Sequence, residues 1–418
     1  MKTKSIRITV TTGLFVVACV LLSLISVLQY KNSSWNLIVE GQLGREQLPV
    51  MGIDLRMMLL VAFISLSISW LCYLFYQKHG KISVCFFFPV VIMILMMLLW
   101  SASPLKQYGT GILRLLSSPA VYIACAMAFH LGESEEINKT ATRLCWAGGC
   151  IYLGMALVEV TKYYLSYGNV RMGQGSIITY FSCALFFFAI LICENSDTNK
   201  NRLLFGIASG LLLLVGVLTL SRGWMLQSAT LLITYYIKYS KTESLNKKII
   251  NVISVIIAGI LVYFVLTSFF GNAMGAILGR INQDTRSNQL TQFFEEVSIY
   301  NLLIGQGMNV TYTLNGEQYA YIDNQIILIL FRYGLISMVA YLYPMLKILI
   351  HSIFNFKRQE KGDGIGMVVF MWIAALCGIS IYFGNKFDIL NIIVMTKIGH
   401  AYASIEKRQH ISEQSMPV

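Results

Sequence analysis

Charge is scarce in this sequence, and acidic charge is the scarcer kind. Only 12% of the 418 residues are charged, with 20 Asp and Glu against 32 Lys and Arg, whereas soluble domains carry roughly 25% charged residues. Hydrophobic residues make up 56% of the chain. This composition excludes a soluble globular protein and predicts an integral membrane protein.

Several motifs that carry known chemistry are also missing. No C-x-x-C pair occurs among the nine cysteines, so neither a metal site nor a disulfide framework is indicated. The sequence has no G-x-x-x-x-G-K-[ST] phosphate loop and no H-E-x-x-H zinc motif. The net charge of +12 resides mainly in short gaps between apolar runs, which is typical of cytoplasmic loops. We therefore expect no metal, no cofactor and no nucleic acid partner.

Apolar runs that could cross a membrane recur along the whole chain. A span needs about 20 apolar residues, and a helix satisfies its own backbone hydrogen bonds in lipid. The sequence therefore predicts an all-α, polytopic membrane protein that forms one domain over residues 1–418. The spans, about twelve in all, are predicted at about 8–29, 57–76, 82–100, 110–131, 144–161, 174–193, 203–220, 223–239, 249–270, 325–350, 364–383 and 387–404.

The basic residues predict the orientation of these spans. They concentrate in gaps that all fall on one side of an even-numbered topology, which the positive-inside rule assigns to the cytoplasm. Both termini are then cytoplasmic. The gaps are residues 77–81, 132–143, 194–202, 240–248 and 351–363.

The last predicted span, residues 387–404, is the weakest. Asp388, Lys397 and His400 leave its apolar stretch short and amphipathic. A helix that lies along the membrane interface is the alternative.

One large external loop is predicted late in the chain, at about residues 271–324. Its apolar residues near helical spacing predict a short amphipathic helix that lies on the membrane or on the helix bundle. Those apolar residues are Leu290, Phe293, Phe294, Val297 and Tyr300, with Glu295 and Glu296 on the other side.

Four arginines do not fit the charge rule, because the predicted topology places them outside the cytoplasm. They are Arg171, Arg222, Arg280 and Arg286. A guanidinium group is a permanently charged, planar fork that suits phosphate oxygens. The leading explanation for these residues is therefore an anionic ligand such as a lipid diphosphate.

Snorkelling or a salt bridge would also explain the charged residues at several of these positions. Arg222 lies in a Ser-Arg-Gly hairpin between two spans, where it points into a cavity or snorkels to the headgroups. Arg280 and Asp284 have the spacing of a helical salt bridge, and Lys162 could similarly satisfy Glu159. Arg332 lies just inside a span, where snorkelling is the expected behaviour.

The order of these motifs resembles that of bacterial O-antigen and capsule repeat-unit polymerases, the Wzy type, and more distantly the O-antigen ligases. Short motifs over roughly residues 160–345 carry the resemblance. They are Arg-x-Gly at Arg171, Ser-Arg-Gly at Arg222, an Arg ahead of an aromatic helix at Arg286, Gly-x-Gly at Gly305 and Gly307, an Asn that opens a span at Asn324, and Gly334 within that span.

The resemblance implies a GT-C-like, metal-independent, inverting glycosyltransferase in the cytoplasmic membrane. Its donor and acceptor would be undecaprenyl-diphosphate-linked repeat units, with membrane lipid and a chain-length regulator protein as further partners. Arginines would stabilise the departing diphosphate, and a carboxylate would accept the acceptor hydroxyl proton. The implied catalytic residues are Arg222, Arg286, Asp323 and Asp284, and the implied substrate-binding residues are Arg171, Arg280, Asn324, Gly305 and Gly307.

Two alternatives stay open at the level of sequence. The ligases of this group have a His just before the Asn, where this chain has Asp323, so the resemblance favours a polymerase over a ligase. A flippase for lipid-linked sugars would also need cations near a diphosphate. Flippases usually have two similar halves, whereas the charged cluster here lies in one late loop.

Overall fold

A computed structural model describes the structure of residues 2–28, 55–76, 119–167, 174–195, 198–219, 221–240, 285–307, 310–319, 322, 324–354, 364–378 and 387–414. Helices dominate these residues, and a short antiparallel hairpin of β1 (Tyr312–Leu314) and β2 (Glu317–Tyr319) joins them. The helices in chain order are α1 (Lys2–Leu28), α2 (Leu55–Tyr76), α3 (Pro119–Leu131), α4 (Glu135–Tyr167), α5 (Gln174–Glu194), α6 (Asn199–Leu218), α7 (Arg222–Ser240), α8 (Thr285–Glu296), α9 (Ile299–Ile304), α10 (Gln325–Phe354), α11 (Ile365–Leu376) and α12 (Ile389–Gln414).

Every predicted span that falls on described residues coincides with a helix. Six of the described helices, namely α1, α2, α4, α5, α6 and α10, are long and apolar enough to cross a membrane. Shorter apolar helices lie within α3 and α11. The spans predicted at 82–100 and 249–270 lie outside the described residues, so the total of about twelve and the GT-C-like architecture stay predictions.

Two helices form the centre of the bundle. Of the apolar span in α5, 94% is buried within the protein. Residues 387–399, which lead into and form the first half of α12, are also buried without exception. The alternative of an interfacial helix at 387–404 is wrong for this half, because a surface helix would leave one face uncovered.

Helix α12 approaches α3 at backbone distance. A Cβ atom on Gly399 would collide with the carbonyl oxygen of Phe129, and one on Gly132 would collide with that of Thr396. Small residues allow this kind of close helix contact within membranes. Glycine is therefore required at both crossing positions.

Helix α4 begins earlier than the sequence predicts. The gap assigned to residues 132–143 is mostly helical, because the turn is confined to residues 132–134 and α4 starts at Glu135. Glu135 and Glu136 occupy the first turn, where carboxylates interact favourably with the helix dipole. The charges that made this segment look like a loop thus stabilise a helix start.

Polar contacts show which helix ends lie together, and we call the end that they define the polar end. The contacts are Lys397 with Glu194, Lys347 with Glu406, Trp70 with His130, Lys238 with the carbonyl of Cys193, Tyr235 with the carbonyl of Arg202, and Ser69 with the carbonyl of Thr11. The outer turns of α1 and α12 that lead to the chain termini belong to this end. The grouping agrees with the predicted even-numbered topology, and the side of the membrane that this end faces stays a prediction.

A small separate unit covers the opposite end of the bundle. It consists of α8, α9, β1 and β2, which we call the cap, and we call this end the cap end. Its core joins the cap to the first turns of α10 and contains Phe293, Val297, Leu302, Tyr312, Ile322, Leu328 and Phe331.

Candidate functional site

The cap end holds all the described residues for which the sequence predicts a substrate or catalytic role. The hairpin between α6 and α7 is there, because Tyr235 near the other end of α7 contacts Arg202 near the start of α6. The start of α5 is there as well, since Glu194 at its far end binds Lys397 at the polar end. Arg222, Arg286, Gly305, Gly307 and Asn324 therefore share one end of the bundle.

The hairpin that carries Arg222 is tight and well fixed. Thr219 caps the C-terminus of α6, and its hydroxyl donates to the carbonyl of Val215 at 2.9 Å. Trp224, in the first turn of α7, is buried and stacks on Phe181 of α5 with ring centroids 4.6 Å apart. A Cβ atom on Gly216 would lie only 3.3 Å from the backbone of Trp224, so the two helices nearly touch. The position of Arg222 therefore follows from packing on both sides.

The Arg222 side chain is exposed at the start of α7. It forms no hydrogen bond or ion pair with another described residue. A cation at a helix N-terminus is disfavoured by the helix dipole, by roughly 0.3–1 kcal/mol at an exposed site. The position of Arg222 is thus disfavoured by the dipole of its own helix, and it also departs from the positive-inside rule.

Glu159 of α4 and Ser176 of α5 meet near Arg222's end of the bundle. The Ser176 hydroxyl donates to Glu159 Oε2 over a long distance of 3.4 Å. The ammonium of Lys162 instead lies 5.9 Å from the ring centroid of Tyr163. The expected pairing of Glu159 with Lys162 is absent from the contacts of the described residues, where Glu159 contacts Ser176 instead.

The Gly-x-Gly segment contacts a break in α10. Gly334 has φ 82° and ψ 174°, which interrupts the helical hydrogen bonds there. The amides of Gln306 and Gly307 donate to the carbonyls of Phe331 and Arg332, each at 2.9 Å. These amides therefore replace the donors that a continuous helix would supply.

Gly305 and Gly334 approach each other so closely that neither position has room for a side chain. Gly305 has φ 84°, and a Cβ atom on it would lie 2.6 Å from the amide nitrogen of Gly334. A Cβ atom on Gly334 would lie 2.6 Å from the carbonyl oxygen of Ile304. The amide of Gly305 donates to Asn301 at 2.8 Å, so the Gly305 and Gly307 amides are engaged within the protein. The role of Gly305 and Gly307 in substrate binding stays a prediction. The close contact of Gly305 with Gly334 shows that Gly305 has a packing role.

Asn324 caps the N-terminus of α10. Its side-chain oxygen accepts hydrogen bonds from the amides of Ile326 at 3.1 Å and Ile327 at 3.2 Å. This is the ordinary use of Asn before a helix. A role in substrate binding, as predicted, would have to use the remaining NH₂ group of the side chain.

The cap fixes the helix that begins next to Arg286. Phe293 of α8 makes edge contacts with Tyr312 and Phe331, with centroids 5.3 and 4.9 Å apart. Glu296 accepts a 2.6 Å hydrogen bond from the amide of Thr313. The predicted amphipathic helix coincides only in part with α8, because α8 ends at Glu296 and Tyr300 lies in α9. Phe293 and Val297 are buried, whereas Phe294 and Tyr300 are exposed.

Several predicted site residues cannot be placed relative to one another. Arg171, Arg280, Asp284 and Asp323 lie outside the described residues, and for Arg286 only the backbone is described, in the first turn of α8. Among the described residues, no group of His, Cys, Asp and Glu could hold a metal ion. The assignments of these residues stay predictions.

Arg332 behaves differently from the sequence prediction. It is 1% exposed, so it does not snorkel to the headgroups. Its carbonyl accepts the Gly307 amide at the break in α10.

Sequence reasoning missed a polar network at the other end of the bundle. The buried ammonium of Lys397 donates to Asn138 Oδ1 at 2.7 Å, Thr142 at 2.6 Å and Glu194 at 2.8 Å. The network ties α12 to α4 and α5. The available signal was an ionisable residue within an apolar segment, which usually has a specific partner.

Comparison with known proteins finds no family model and no curated protein that matches this chain.

Proposed function

We propose that this protein is a polysaccharide repeat-unit polymerase of a bacterial cytoplasmic membrane. It would join oligosaccharides carried on undecaprenyl diphosphate at the outer face, with the cap end facing outwards. The observation that carries the proposal is Arg222, exposed on a rigid hairpin at the cap end. The order of motifs around it supports the same class of enzyme.

An anion would reverse the unfavourable electrostatics of Arg222. The N-terminus of α7 and the guanidinium group are both positive, so they repel each other. Both attract a phosphate placed between them. The guanidinium fork can bind two phosphate oxygens at once. A lipid diphosphate at the membrane surface combines this charge with a membrane anchor.

The proposed reaction needs stabilisation of a leaving group. The acceptor hydroxyl oxygen forms a bond to C1 of the donor sugar while the bond from C1 to the diphosphate oxygen breaks. The acceptor proton passes to a carboxylate, and undecaprenyl diphosphate leaves with the bonding electrons. Guanidinium groups bind the diphosphate more strongly as its charge grows, which lowers the barrier.

The remaining predicted residues fit this scheme as proposals. Arg286 would stabilise the same diphosphate, with Arg171 and Arg280 as further contacts. Asp323 is the first candidate for the proton acceptor and Asp284 the second. Asn324, the residue after Asp323 in the sequence, caps the start of α10.

Replacement of Arg222 tests the proposal directly. We expect Arg222→Ala to abolish long glycan chains while single-repeat glycan and the amount of protein in the membrane are unchanged. Arg222→Lys should rescue poorly, because an ammonium cannot form the bidentate contact. Glycan length on electrophoresis is the measurement.

Arg143→Ala is the matched control, since Arg143 is also an exposed arginine but belongs to the polar-end part of α4. Full-length polymer in Arg222→Ala would refute the proposal for this residue.

A second experiment separates the polymerase from the ligase and the flippase. Deletion of the gene should leave one repeat attached to its normal final acceptor, and Asp323→Asn should impair chain growth strongly. Long polymer that accumulates on the lipid carrier would identify a ligase instead. Loss of even the single-repeat product from the cell surface would identify a flippase.

A further inference from the structure

The short helix α9 has an apolar surface that no described part of the protein covers. Its composition is almost wholly apolar, and only Leu302 faces the core of the cap. The other apolar side chains are exposed: Ile299 by 78%, Tyr300 by 67%, Leu303 by 49% and Ile304 by 38%. A contiguous apolar surface of this kind marks contact with a membrane or with another protein.

The break in α10 places α9 beside a surface that faces lipid. The carbonyl oxygens of Leu303 and Ile304 lie against Gly334. The residues that directly follow Gly334 continue the apolar surface on α10, where Ile336 is 59% and Val339 is 51% exposed. Because α10 is long and apolar enough to span the membrane, we expect these side chains to face acyl chains. The end of α9 therefore contacts α10 one turn or less from Ile336 in the sequence.

The depth of this contact agrees with burial in lipid. Lys347, which pairs with Glu406 at the polar end, lies thirteen residues after Gly334, or about 20 Å along the helix at about 1.5 Å per residue. The hydrocarbon core of a bilayer is about 30 Å thick. Gly334 and the adjoining end of α9 are therefore closer to Lys347 than the hydrocarbon core is thick.

The backbone at this depth meets the main requirement for a lipid environment. Non-helical backbone within a membrane is tolerated only where protein satisfies its polar groups. The Ser298 hydroxyl accepts from the Asn301 amide, and Gly305 donates to the Asn301 carbonyl. Gln306 and Gly307 donate to the carbonyls exposed by the break in α10. The polar groups around α9 are thus largely bonded internally, while its side chains are apolar.

We propose that α9 is embedded in the bilayer at the cap end, with Ile299, Tyr300 and Leu303 in contact with acyl chains. The cap is then anchored in the membrane by α9, and α8 with the β-hairpin stands in water above it. This inference concerns the position of the cap and is independent of the reaction proposed above.

Cysteine accessibility in the full-length protein tests this position. We expect the thiol of Leu303→Cys to react with a membrane-impermeant maleimide at least tenfold more slowly than that of Glu317→Cys, in open membrane fragments where water reaches both faces. A thiolate needs water to form, so a thiol in lipid reacts slowly. Glu317 lies exposed on the β-hairpin and provides the aqueous reference, and Ile336→Cys provides the lipid reference. The parent protein measures the background from its nine cysteines.

A second measurement distinguishes lipid from protein contact. A fluorophore attached at residue 303 in reconstituted vesicles should be quenched by lipids brominated on their acyl chains, as one at residue 336 should be. Fast labelling of Leu303→Cys would overturn the proposal by placing α9 in water. Slow labelling without quenching would also overturn it, because protein would then cover the surface. Tyr300→Cys serves the same test if Leu303→Cys does not fold.

Discussion

The two ends of this helix bundle use charge in opposite ways. At the polar end, Lys397 is fully buried and its ammonium donates to side chains of α4 and α5. At the cap end, Arg222 is exposed and contacts no other described residue through a hydrogen bond or ion pair. A buried and fully bonded charge holds helices together, whereas a charge with open donors can bind a ligand. The comparison assigns a structural role to the polar end and supports the proposal that the chemistry takes place at the cap end.

The two ends also differ in how their elements are joined. Side chains make the connections at the polar end, as in the pair of Lys347 with Glu406. At the cap end, backbone amides also take part, because those of Gln306 and Gly307 bind the break in α10 beside the apolar core of the cap. Backbone contacts leave side chains available for other partners. Such contacts fit the proposal that this end of the protein binds substrate.

The largest expected effect concerns the sides of the membrane on which the two ends lie. A reporter that is active only outside the cytoplasm should give full signal when fused after Gly316 and none when fused after Ser240. Gly316 lies in the cap and Ser240 ends α7 at the polar end. The reverse pattern would contradict both the predicted topology and the proposal that the reaction takes place at the outer face.

Removal of the buried cation should destabilise the polar end severely. We expect Lys397→Met to cost about 3 kcal/mol, because two oxygens of the buried Asn138 lose their hydrogen-bond donor. Thermal unfolding of the purified protein measures the loss. Lys139→Met is the matched control, since Lys139 pairs with Glu135 at 3.5 Å on the surface, where a salt bridge contributes about 0.5 kcal/mol. Equal effects of the two substitutions would show that burial of Lys397 does not matter.

A methyl group at the break in α10 should separate the cap from the bundle. Gly334→Ala should cost about 2 kcal/mol, from a strained left-handed backbone and from contact with the Ile304 carbonyl. Gly316→Ala is the control, because Gly316 has a similar φ of 85° but nothing within 4 Å of an added Cβ. Its cost should be about 1 kcal/mol from backbone strain alone. Similar unfolding temperatures for the two variants would argue against a close contact at Gly334.

The smallest expected effect separates capping from substrate binding at Asn324. Asn324→Ala should cost about 1 kcal/mol, because the amides of Ile326 and Ile327 lose their acceptor. Asn324→Ser should restore the stability, since a hydroxyl oxygen can also cap a helix. If Asn324→Ser is stable but makes only short glycan, Asn324 contacts substrate. Full polymer length in this variant would limit Asn324 to its capping role.

Local sequence features predicted the helices well and the contacts between them poorly. Apolar length located the spans, because hydration of a segment depends mainly on its own residues. The same reasoning counted Lys397 as evidence against a membrane span at residues 387–404. It also predicted that Arg332 snorkels to the headgroups. Both are buried, since neighbouring helices supply partners or cover that no local pattern contains.

The sequence by itself determined that this chain is a helical membrane protein with its basic residues grouped towards one end, because hydrophobic length and charge distribution are properties of each segment. It also located the hairpin of Arg222 and the helix that begins near Arg286. Only the tertiary structure decided that Gly305 packs against Gly334, that the Gly-x-Gly amides bind a broken helix, and that α12 lies in the centre of the bundle. Such contacts join residues far apart in the chain, and they depend on how helices pack rather than on which segments are helical.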